Sequence, residues 1–257
     1  LKELSRLDEA EVSYGQAIVL KPDYAEARRN LGVTLKELQR YQEAISHFDS
    51  ANDFRAIPQS LECLYIVKNY ELLHERLQSL SKAKGISIGV AAVSAFVSHQ
   101  LKIRDPYEFC KKPLEYVSVS NAREFERDAD GLINEILKES DAYQLIWENR
   151  TTKFGFQGSG NIFENASSAI SNLERIIGQA LTKYYDNHKG ASELFITAWP
   201  TSYKLAGWFN RLLKNGYQTS HIHPTGWLSG VIYLKTLRPS NNNAGAIEFS
   251  LHGHDLP

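Results

Sequence analysis

Gly216-Tyr-Gln-Thr-Ser-His221-Ile-His223-Pro224-Thr-Gly226-Trp227-Leu-Ser229-Gly-Val-Ile-Tyr233-Leu234, running on to Gly245-Ala-Ile-Glu-Phe249, is where the chain's chemistry is concentrated. On an extended strand the side chains at i and i+2 share a face, so His221 and His223 are expected to project together, their Cα atoms about 6.6 Å apart. An imidazole nitrogen binds a metal at about 2.1 Å, so such a pair can chelate one ion. Ile222 points the other way, and Pro224 ends the ladder where the pair is presented. The plainer alternative is two hydrogen-bonded imidazoles with a structural part only. In the next segment Trp227, Ser229, Val231 and Tyr233 fall on one face of a strand and Leu228, Ile232 and Leu234 on the other, so both faces are expected to be covered. The Asn-, Pro- and Gly-containing stretch 238–245 then turns the chain into a third strand, Ala246 to Phe249.

Upstream the chain is helical in pattern. Leu7, Ala10, Tyr14 and Ala17 recur 34 residues later as Tyr41, Ala44, Phe48 and Ala51, the length of a tetratricopeptide (TPR) unit. Small residues at Ala10, Gly32 and Ala44 face large ones at Tyr14, Leu31 and Phe48, and Pro22 stands where a helix must stop. Residues 59–82 keep the helical period but lose the small positions, as a terminal helix pair of a repeat array does. The apolar run Ile86 to Leu101 predicts a buried helix with His99 at its polar end.

Asp105-Pro-Tyr-Glu-Phe-Cys-Lys-Lys-Pro-Leu114 reads as a proline-punctuated connector, which places the domain boundary between Lys82 and Asp105. A polar amphipathic helix is expected from about Ala122 to Lys138, and an extended, glycine-spaced stretch from Trp147 to Phe163. Gly158-Ser-Gly160 lacks the following Gly-Lys-Ser/Thr and a preceding apolar strand, so it is not a phosphate loop. Ile170, Leu173, Ile176, Ile177 and Leu181 form the apolar stripe of a helix from Asn165 to Tyr185, with Asn165 as its N-cap. Glu193 to Trp199 is expected to begin the strands.

His-x-His-Pro, then Ser-Gly-Val-x-Tyr-Leu, then Gly-Ala-Ile-Glu-Phe resembles the core of 2-oxoglutarate and Fe(II)-dependent oxygenases, and more closely a bacterial subgroup in which that domain follows TPR repeats. The resemblance implies an α+β chain: a helical TPR array over 1–82, then over 83–257 a partial double-stranded β-helix, or jelly-roll, with supporting helices. It implies a hydroxylase using Fe(II) and 2-oxoglutarate, with ascorbate as an accessory, and a peptide or protein partner in the repeat groove. His221 and His223 stand as metal ligands, His221 first; His223 could instead meet 2-oxoglutarate or substrate. Tyr233 either donates to the 2-oxoglutarate carboxylate or is an ordinary buried tyrosine, while Trp227 and Ser229 line the pocket. The chain departs from the family pattern in having His223 where an acid is usual. Its distal His and 2-oxoglutarate-binding Arg are expected beyond Pro257, since His252 and His254 come too soon after the third strand to close a jelly-roll. On that reading these 257 residues alone do not turn over 2-oxoglutarate. The rival reading is a non-catalytic TPR scaffold with an inactive jelly-roll.

Composition bounds the rest. With 29 basic and 30 acidic side chains there is no bulk field to favour nucleic acid or an anionic membrane. No run of 18 apolar residues and no N-terminal signal pattern occurs, which together predict a cytoplasmic protein. Cys63 and Cys110 lack metal spacing and are expected as free thiols. The absence of methionine and a start inside a helical pattern are expected of a fragment.

Overall fold

The computed structural model describes residues 6–83, 85–143, 145–148, 151–236 and 245–249. The chain forms two compact units: Leu1–Glu108 with Ile222–Ser229, and Phe109–His221 with Gly230–Ser250.

The first unit is built of helices α1 (Leu7–Leu20), α2 (Ala25–Glu37), α3 (Tyr41–Ser50), α4 (Ile57–Ile66), α5 (Tyr70–Lys82) and α6 (Ile88–Leu101). Each helix from α1 to α4 packs on the next, and α4 also packs on α6. The repeat's small residues are where the chain needs them. Ala10 and Ala44 are buried, and a Cβ on Gly32 would stand 2.6 Å from Cε1 of the buried Phe48. Leu31, Leu35, Ile45, Leu61, Leu64, Leu73 and Leu77 fill the space between the helices. Charged side chains pin neighbours together: Lys36 pairs with the buried Glu62, and Arg76 holds Asp49 at 2.7 Å and the Ser60 hydroxyl at 2.9 Å. Asn69 and Ser87 cap α5 and α6 by accepting from Leu72 and Val90 N–H groups. The all-helical expectation for the first 82 residues therefore holds across the described part.

The second unit contains α7 (Ala129–Ala142), β1 (Leu145–Glu148), β2 (Thr152–Gly158), α8 (Ser168–His188), α9 (Leu194–Thr197) and β3 (Asn210–Gln218). The strands form one antiparallel sheet in the order β1-β2-β3. Leu132 and Ile136 of α7 meet Ile170, Leu173 and Ile176 of α8 around Ile162 and Phe209. Asn161 ties the lead-in to β3 into this core: its amide donates to Leu205 O at 3.0 Å, and its side-chain oxygen accepts from Phe163 N and Gly207 N. Tyr184, Phe195 and Trp199 form an aromatic cluster with Tyr116.

Several expectations change here. The described residues hold a three-stranded sheet and no jelly-roll. Glu193 to Trp199 is not strand: Leu194–Thr197 is a helical turn, because burying both Phe195 and Ile196 suits a turn docked by Phe195 N–H on Phe109 O at 3.0 Å. The cap of α8 is Ser167, whose hydroxyl accepts from Ile170 N at 3.1 Å; Asn165 instead takes φ 58°, a left-handed conformation Asn tolerates. The amphipathic helix begins at Ala129, after a separate 3₁₀ turn at Ala122–Glu124 closed by its own capping box.

Candidate functional site

Lys153 pairs with Tyr217 and Thr152 with Gln218, whereas Gly155 pairs with Leu212, so β3 carries extra residues between Leu212 and Tyr217. That bulge contains Asn215 at φ 63° and Gly216, where a Cβ would sit 2.5 Å from Phe154 O. Only glycine lets the two backbones approach so closely. A bulge re-aims the strand after it. The ladder resumes and is prolonged past Gln218 by Thr219, whose N–H donates to Thr151 O at 2.8 Å. Gln218 Nε2 donates to the hydroxyl of the fully buried Thr152 at 3.2 Å.

His221 follows directly. Its Nδ1 lies 2.8 Å from Thr219 O. A carbonyl oxygen only accepts, so Nδ1–H is the donor in this contact. This is the backbone hydrogen bond that metal-binding histidines commonly make, and it fixes both ring direction and tautomer. Neither Thr219 nor Thr151 carried a signal at the level of sequence, because the contact depends on a cross-strand register.

Beyond His221 the chain is irregular. His221, Ile222 and His223 are half-buried and outside any strand. His223 opens a turn in which Gly226 N donates to His223 O at 2.9 Å, with Pro224 in the second position. Proline's fixed φ suits that position. The i, i+2 strand geometry expected for the two histidines is therefore replaced by a strand end followed by a turn. The boundary between the units also falls between them, with His221 in the sheet-bearing unit and His223 in the helical one.

The remaining residues are more open than alternation suggested. Trp227 is half-buried and Ser229 exposed, and residues 227–233 are not strand. Tyr233 is 49% exposed, and its hydroxyl donates to Gly245 O at 3.1 Å. Ala246 to Phe249 is likewise not strand and is exposed. Apolar alternation persisted without a partner ladder, and a strand exists only when paired. His252, His254 and most of the 238–245 turn lie outside the described residues.

Whether iron fits can be tested against these donors. Among the described residues no three His, Cys, Asp or Glu side chains gather as a metal-binding group. His221 makes the backbone hydrogen bond common among ligand histidines, and no complete facial triad assembles among the described residues. Burial pushes the Cys63 thiol up to about 12 and the Cys110 thiol up to about 11.

Residues 206–254, which include both histidines, match the family model described as "Putative 2OG-Fe(II) oxygenase", and residues 1–39 match the TPR repeat model. No curated protein and no solved structure matches the chain. The chain thus joins a TPR-type helical repeat to a segment similar to 2-oxoglutarate and Fe(II)-dependent oxygenases. No helix among the described residues is long and apolar enough to cross a membrane.

Proposed function

We propose that this chain is part of an Fe(II)- and 2-oxoglutarate-dependent hydroxylase whose TPR repeats engage a peptide or protein. The observation that carries the reading is His221: it lies within the family match, and its Nδ1–H donates to Thr219 O, the kind of backbone hydrogen bond that orients a metal-binding histidine. His221 is the first metal ligand. His223 is the second, or meets 2-oxoglutarate or substrate. Tyr233 is proposed as a 2-oxoglutarate donor, which requires its hydroxyl to leave Gly245 O. Trp227 and Ser229 are proposed to border the pocket. Bound iron would supply O2 activation coupled to decarboxylation of 2-oxoglutarate to succinate and CO2. The chain's own part is to hold the histidine ring, and Thr219 does so through its carbonyl.

The test is Fe(II) binding by equilibrium dialysis under anaerobic conditions, with and without 2-oxoglutarate, for the wild type, His221→Ala and His223→Ala. The reading expects wild-type binding that 2-oxoglutarate strengthens and His221→Ala abolishes. Binding indifferent to His221→Ala, or no binding at all, refutes it.

The absence of a three-ligand group among the described residues favours a second reading, in which the repeats act as a scaffold and the sheet-bearing unit is not catalytic. That reading expects no iron binding in the same dialysis, together with retained partner binding when His221 is changed.

A further inference from the structure

The segment that follows His221 is held from an unexpected quarter. Ile222–Ser229 belongs with the helical unit, although β3, which leads into it, belongs to the other. One close approach shows how. A Cβ placed on Gly89, the second residue of α6, would stand 3.6 Å from Pro224 Cβ and 2.7 Å from Cγ of Pro58, which occupies the first turn of α4. Gly89 is buried while Pro224 remains exposed on its other side, so one edge of the Pro224 ring rests over the gap that Gly89 leaves.

The chemistry of these positions is mutually consistent. Pro58 is tolerated in the first turn of α4 because the N–H it lacks would have no helical partner there. Ser87 caps α6 by accepting from Val90 N, which brings the helix start to a defined place beside it. Pro224 pre-sets the turn closed by Gly226 N on His223 O, so the ring that rests on Gly89 also sets the backbone of His223.

We infer that the helical unit positions the His223 turn, with Gly89 of α6 and Pro58 of α4 as the seat for Pro224. Gly89, Pro58 and Pro224 are then positioning residues for whatever His223 binds. In its metal-related part the inference rests on the oxygenase reading; the seat itself does not. A Cβ at position 89 would touch Pro224 at ordinary van der Waals distance and strike Pro58 Cγ, so the larger side chain of valine displaces the seat and frees the turn without altering any residue in it.

Amide hydrogen exchange by mass spectrometry tests the seat on the full 257-residue chain, metal-free, for the wild type, Gly89→Val and Pro224→Ala. Exchange across 222–229 is expected to rise about two- to fivefold in Gly89→Val, the scale of releasing a proline-type backbone constraint. The 210–218 strand should be unchanged. Pro224→Ala removes no buried side chain, so it stands in if Gly89→Val does not fold. Its expected signature is faster exchange in the first turn of α6, a region it does not alter. Unchanged exchange at both reporting segments overturns the seat. Fe(II) dialysis of the same proteins then separates the two ideas. If the wild type binds iron and the variants with a loosened turn bind several-fold more weakly, the positioning role is supported. If they bind iron as tightly as the wild type, that role is overturned. If the wild type binds no iron, the oxygenase reading falls, and exchange alone still decides the seat.

Discussion

Gly32 and Gly15 are both helical glycines, and exchanging each for alanine should have opposite effects. At Gly15 a Cβ meets nothing within 4 Å; at Gly32 it meets Phe48 Cε1 at 2.6 Å and Cδ1 at 2.7 Å. Carbon atoms pack at about 3.5–4.0 Å, so Phe48 would have to retreat by roughly 1 Å. Phe48 is only 3% exposed, with nowhere to go. Overpacking of this kind costs about 1–3 kcal/mol, while replacing a helical glycine by alanine gains about 1 kcal/mol. The gain is common to both sites, so the difference between the two variants isolates the overpacking, about 1–3 kcal/mol. Gly15→Ala should therefore raise the urea midpoint followed by circular dichroism, and Gly32→Ala should lower it. Phe48→Leu narrows the opposing group, so adding Gly32→Ala in that background should cost much less than in the wild type. If Gly32→Ala is as stable as Gly15→Ala, the helix crossing is not where the repeat pattern and the packing put it.

Ser167→Ala should lower stability by about 1 kcal/mol through loss of the α8 cap, whereas Asn165→Gly, which suits a left-handed backbone, should change it by no more than a few tenths; equal losses in urea melts would contradict the capping assignment. Gly216→Ala should cost about 1–3 kcal/mol and weaken Fe(II) retention together, since its Cβ would strike the Phe154 carbonyl at the bulge that aims Thr219 and His221; wild-type exchange protection in β3 would refute this. Burial, assisted by the Arg28 charge, holds the His47 imidazole below its ordinary range. The unfolded chain therefore takes up a proton first: the stability His47 contributes is present above its ordinary pKa of about 6.5 and is lost as pH falls toward the lowered value. His47→Gln should flatten the stability profile just below that pKa, and an unchanged slope would remove His47 from the account. Cys63, buried and with its thiol pushed up to about 12, should resist a thiol-specific reagent at pH 8 and react readily in urea, with the half-buried Cys110 slowed less; fast labelling of Cys63 in the native chain would contradict its burial.

The local terms in this sequence were strong enough to determine its helices. Side chains three and four apart meet on a helix regardless of what lies elsewhere, so the small-against-large pattern at Ala10, Gly32, Ala44 and Phe48 and the apolar stripe of α8 were legible from the residues alone. Strands carry no such guarantee, because a ladder needs a second strand. Asn210–Gln218 is polar and exposed along most of its length, yet it is a strand because β2 offers it a partner. Trp227 to Leu234 alternates as a strand should, yet it is irregular. The run Leu194–Thr197 was short enough to suit either conformation, and its docking on Phe109 made it helical. The same dependence governs the candidate site. His221 and His223 stood out as candidates from their spacing and neighbours. The hydrogen bond that orients the His221 ring and the turn that begins at His223 depend on the register of Thr219 on Thr151 and on the packing of Pro224 beside Gly89, contacts between residues far apart in the chain.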